Sequence, residues 1–64
     1  MTKKHFTAIA NALNLRFTSA LELPDSLRDS VTDEIEQIAI SLADQFEEVN
    51  PLFNRSKFLA VALA

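Results

Sequence analysis

Apolar side chains recur along this chain at intervals of three and four, the spacing that collects them on one face of a helix. From the start they fall at Phe6, Ile9, Ala10, Leu13, Phe17, Ala20 and Leu21. Thr2 stands where an N-cap belongs. Pro24 disfavours helical backbone at the residue before it and suits a first turn, so the pattern predicts a bend near Glu22 to Pro24. A second, longer run follows with Leu27, Val31, Ile35, Ile38, Leu42, Phe46 and Val49, and with Asp25 and Asp29 near its positive N-terminal end. Asn50 and Pro51 stop it, because proline has no amide hydrogen and its ring collides with a continuing helix. Asn54 is placed to cap a third, short helix. Phe53 before the cap and Phe58 at the fourth helical position have the spacing of a hydrophobic staple.

The reading is therefore all-α: one domain over residues 1–64, with helices at about 3–20, 24–49 and 54–62. Short connections favour antiparallel neighbours, so the first two helices are expected as an antiparallel hairpin braced by the third. The core is expected from Phe6, Ile9, Leu13, Phe17, Val31, Ile35, Ile38, Leu42, Phe46, Phe53 and Phe58.

Within the second helix, Ile35, Leu42 and Val49 repeat every seven residues, as do Val31, Ile38 and Gln45, which resembles a short, imperfect coiled-coil seam. Ala39, Ala43 and Phe46 widen the seam. Such a broad stripe suits two neighbours, one inside the chain and one across a dimer interface, although a single wide intramolecular contact also fits. Val31, Ile35, Ile38, Leu42, Phe46 and Val49 are accordingly the expected dimer and core positions. Ile40 falls outside that face, either as a lone surface isoleucine or as part of a partner interface.

Length sharpens the case for a partner. In a chain of 64 residues, burial and chain entropy nearly cancel, and small domains usually add disulfides, metals or a second subunit. There is no cysteine and only one histidine, His5, so self-association is the expected source of further burial. Zero glycine argues against tight hairpins and glycine-built phosphate cradles. With 48% apolar and 23% charged residues, the chain is too hydrophobic for a disordered tail and too interrupted by charge for a membrane span. The spaced apolar positions after Lys3 and Lys4 make no signal-peptide core, so a cytoplasmic protein is expected.

Charge is segregated. All nine acidic residues lie between Glu22 and Glu48, where Arg28 is the only base, so that stretch carries a formal −8. Residues 1–21 carry +3 from Lys3, Lys4 and Arg16, and residues 49–64 carry +2 from Arg55 and Lys57. Carboxylates four apart share a helix face, but no glycine-bearing calcium loop or histidine partner turns them into a metal or acid/base site. His5 is the sole imidazole and lies near a terminus, where capping or surface roles outweigh catalysis. No catalytic, cofactor or metal residue is assigned. Asp29, Asp33, Glu36, Asp44, Glu47 and Glu48 instead make an acidic surface that either serves solubility alone or is met by a basic partner protein or imitates the charge of DNA. Direct nucleic-acid binding would need the basic residues of the two chain ends to cluster, against a net charge of −3.

The run Asn50-Pro51-Leu52-Phe53-Asn54-Arg55-Ser56-Lys57-Phe58-Leu59-Ala60 resembles the ending Asn-Pro-x-Phe-Asp-Arg-x-x-Phe-Leu-x-Ala-Cys of small phage and plasmid proteins. Phe6, Ile9 and Ala10 likewise resemble their opening Phe-x-x-Ile-Ala. Asn54 replaces the commoner Asp, which preserves capping. Val61 or Ala62 stands where many relatives have Cys, so no thiol role carries over. The likeness is to small early proteins from the exo-xis region of lambdoid phages. It implies a non-enzymatic accessory role in the host cytoplasm, exerted by binding host or phage proteins and bearing on the host cell cycle or on the choice between lytic and lysogenic development. The alternative is a small DNA-associated regulator.

Overall fold

A computed structural model describes residues 2–64, and every regular element among them is α-helical. Helix α1 spans Lys3–Ala20, α2 spans Asp25–Val49 and α3 spans Arg55–Ala62. The second and third helices begin one residue later than the pattern predicts, because Pro24 and Asn54 occupy the N-cap positions themselves. The Pro24 carbonyl accepts from the Leu27 and Arg28 amides, both at 2.9 Å. Asn54 Oδ1 accepts from the Lys57 amide at 3.0 Å. At the start of α1 the Thr2 amide donates to His5 Nδ1 at 3.2 Å, so the imidazole takes the place that Glu or Gln fills in a capping box.

No described residue has a positive φ, and the helices therefore end without a left-handed cap. Asn50 closes α2 in extended backbone, and its amide donates back to the Phe46 carbonyl. The Asn50 carbonyl then accepts from the Phe53 amide at 2.9 Å, closing a turn whose second position is Pro51. The Asn50 side chain accepts from the Leu52 amide at 3.1 Å. This turn delivers Phe53 and the capped start of α3 onto the other two helices.

Where the elements meet, the interior is built from alanine and phenylalanine. Ala10, Ala39, Ala43 and Ala62 are fully or almost fully buried, and Phe6, Phe46 and Phe58 close over them. The Phe6 ring near the start of α1 lies 4.9 Å from that of Phe46 near the end of α2. Phe53 is 4.7 Å from Phe6 and 5.5 Å from Phe58, and Phe46 meets Phe58 edge-on at 5.6 Å. Tilted and edge-on pairs at these distances add about 0.5–1.5 kcal/mol each beyond their burial. Asn14 of α1 donates to the Ala62 and Ala64 carbonyls at 3.3 and 3.4 Å, which holds the end of α3. Asp44 of α2 pairs with Arg55 at the start of α3.

This packing corrects part of the expected core. Ile38 is 45% exposed and Val49 is 76% exposed, so neither belongs to the interior of the chain. Val31, Ile35 and Leu42 are only half-buried, as are Ile9, Leu13, Phe17 and Phe53. Of the six dimer and core positions only Phe46 is buried. At about 100° per residue, the buried Ala39–Ala43–Phe46 face is rotated about 80° from the Val31–Ile38–Leu42–Val49 stripe. Alanine at a crossing lets two backbones approach closely, and the larger aliphatic side chains are displaced to the flank.

The outline reflects this thin core. The chain measures 39 × 18 × 14 Å with a radius of gyration of 12.2 Å, where about 11 Å is usual for its length. Its accessible surface is 4485 Å², about a tenth above the roughly 4,100 Å² that scaling gives for a monomer of this mass.

Candidate binding surfaces

Two surfaces stand out, and the first lies on α2. Leu27, Val31, Ile35, Ile38, Leu42 and Val49 run along one flank of this helix, all half-buried or exposed. Asp29, Asp33, Glu36, Glu47 and Glu48 lie well away from that flank and are exposed. Asp44 is exposed too, but its carboxylate is engaged by Arg55, so it is less available to an outside partner than the other acids. Arg28 pairs with Asp25 in the same way at the start of the helix. Ile40 is half-buried, on the side of α2 that carries the acids.

The second surface was not recognised in the sequence. A groove of about 520 Å³ opens between the start of α1, the Asn50–Asn54 turn and α3. Phe6, Phe53, Phe58 and Val61 make its apolar floor, with Lys3 and Lys57 at its edge. No acidic residue lines it among those described. Among the described residues neither lysine has an ion-pair partner, whereas Arg28 and Arg55 each have one. Leu52, 91% exposed, extends the apolar surface outward from the groove. The staple of Phe53 against Phe58 and the cap at Asn54 fix the wall that carries Lys57.

The cap residues read from sequence all take part in building this wall. Asn50 and Pro51 turn the chain, Asn54 caps α3, and Phe53 and Phe58 join the aromatic cluster. The terminal helices α1 and α3 pack together. Among the described residues, Lys3 and Lys57 are the basic side chains that line the groove.

Protein-family models, curated proteins and solved structures offer no match to this chain. Among the described residues, no three His, Asp or Glu side chains converge as a metal-ligand set. Their buried side-chain polar atoms are all satisfied, so no strained or orphaned group points into either surface. Among the described residues, no helix is long and apolar enough to cross a membrane. Both surfaces offer exposed apolar area, and at the groove two lysines border it.

Proposed function

We propose that this chain is a non-enzymatic phage accessory protein that acts by binding another protein, and that it does so as a homodimer in the host cytoplasm. The observation that carries this reading is the α2 stripe. Val31, Ile35, Ile38, Leu42 and Val49 repeat with coiled-coil spacing yet are left half-buried or exposed by their own chain. In the proposed assembly α1 and α2 form an antiparallel hairpin, and the α2 helices of two copies pack stripe to stripe. Asp29, Asp33, Glu36, Glu47 and Glu48 then stay outward as an anionic ridge, which attracts a basic protein surface and repels nucleic-acid phosphate, while Glu34 borders the stripe. The resemblance of the Asn50–Ala60 run to early proteins of lambdoid phages supplies the biological setting: modulation of the host cell cycle or of lytic and lysogenic development.

Sedimentation of the wild-type chain and of Ile38→Asp tests the assembly. The wild type is expected as a dimer at micromolar concentration, and Ile38→Asp as a helical monomer. A wild type that sediments as a stable monomer, or an Ile38→Asp dimer of unchanged strength, overturns the reading. A gel shift on random duplex at physiological salt separates it from the DNA-associated alternative, since protein-directed binding predicts no shift.

A further inference from the structure

We infer that the groove between α1, the Asn50–Asn54 turn and α3 is a docking site for an acidic peptide segment with a large apolar anchor. The inference rests on the reading of the chain as a protein-binding accessory, and adds to it a specific site and the chemistry of the segment that fills it. The floor of Phe6, Phe53, Phe58 and Val61 offers aromatic and aliphatic surface to a leucine or phenylalanine side chain. Lys3 and Lys57 stand at its edge without carboxylates of their own, on a chain whose net charge is −3. They form a local cationic pole, and complementarity selects an anionic occupant.

A peptide fits better than a small carboxylate. Small-ligand sites enclose most of their ligand, whereas this groove has at its margin Leu52, which is nine-tenths exposed. A side chain so exposed beside an apolar floor finds its partner atoms only on something that extends past the groove. The wall is also preorganised. The Asn54 cap, the Asn50 turn and the Phe53–Phe58 staple fix the turn and the start of α3 before any partner arrives, which lowers the ordering cost of binding.

The test is a titration of the ¹⁵N-labelled chain with a short synthetic peptide bearing a Leu-x-x-Phe pair flanked by glutamates, followed by amide chemical shifts. Shifts are expected at Lys3, Leu52, Phe53, Lys57 and Val61 and not in the middle of α2, with affinity falling as salt is added. The double variant Lys3→Glu, Lys57→Glu is expected to weaken binding about tenfold or more, and Leu52→Ser about fivefold. All three sites are exposed, so circular dichroism should show unchanged helicity in both variants. Failure of the peptide to shift these amides overturns the inference, as does equal binding of a peptide with glutamine in place of glutamate. It is also overturned if diluting the protein alone moves the same amides, which would make the groove a contact between copies. The dimer is read separately by sedimentation, so loss of either result leaves the other standing.

Discussion

Replacing Phe46 removes the ring at the centre of the aromatic cluster, and the size of the effect follows from its neighbours. Phe46 is buried, with ring centroids 4.9 Å from Phe6, 5.5 Å from Phe53 and 5.6 Å from Phe58. Truncating such a phenylalanine to alanine costs about 3–5 kcal/mol, combining lost transfer energy with a cavity that the alanine-lined floor cannot collapse into. A domain of this length has roughly 3–10 kcal/mol in total, so Phe46→Ala should be largely unfolded or close to it. Phe46→Leu keeps much of the volume and loses the ring contacts, for about 1–1.5 kcal/mol and a midpoint lowered by about 4–12 °C. Urea and thermal melts followed by circular dichroism measure this, run at one protein concentration because any dimer makes the midpoint depend on it. Phe53 supplies the control: it joins the same cluster but is half-buried, so Phe53→Ala should cost less than Phe46→Ala. A Phe46→Ala midpoint equal to wild type, or the reverse ranking of the two variants, would refute the placement of the core around this ring.

Two further substitutions probe the elements around the cluster. Asn54→Ala removes the acceptor for the Lys57 amide and should cost about 0.5–2 kcal/mol in urea melts, while Asn54→Asp keeps the cap and stays near wild type; equal stability of Asn54→Ala and wild type would count against capping here. Ala43→Leu adds hydrophobicity at a fully buried position, yet should destabilise by about 1–3 kcal/mol because added methylenes overpack a site with no exposed surface; a raised melting midpoint would show that the site had room.

The helices were readable from sequence because their signals are local. Periodicity set the two long runs, Pro24 and Pro51 bounded them, and Asn54 started the third helix, all through backbone chemistry that needs no tertiary context. Which face turns inward was not local. Ranking positions by hydrophobicity favours Ile38 and Val49 over Ala39 and Ala43, but a helix crossing selects for small side chains that permit close approach, and the alanines won. Their spacing of four, with Phe46 three further on, is the local signal of this face, and beside larger isoleucines it looks like the margin of the seam although it is the buried centre. The groove depended on still longer-range geometry: Lys3 and Lys57 share it only because Phe6 of α1 and Phe58 of α3 gather around Phe46. A face of alanines satisfies the intramolecular contact with little apolar area, so the larger aliphatics of α2 remain a surplus that its own chain buries only in part, with Leu42 at the edge of the core and Ile38 and Val49 exposed. That surplus repeats with a period near 3.5, the spacing suited to a second helix lying alongside, whereas a single chain short of burial would be expected to have turned its isoleucines inward.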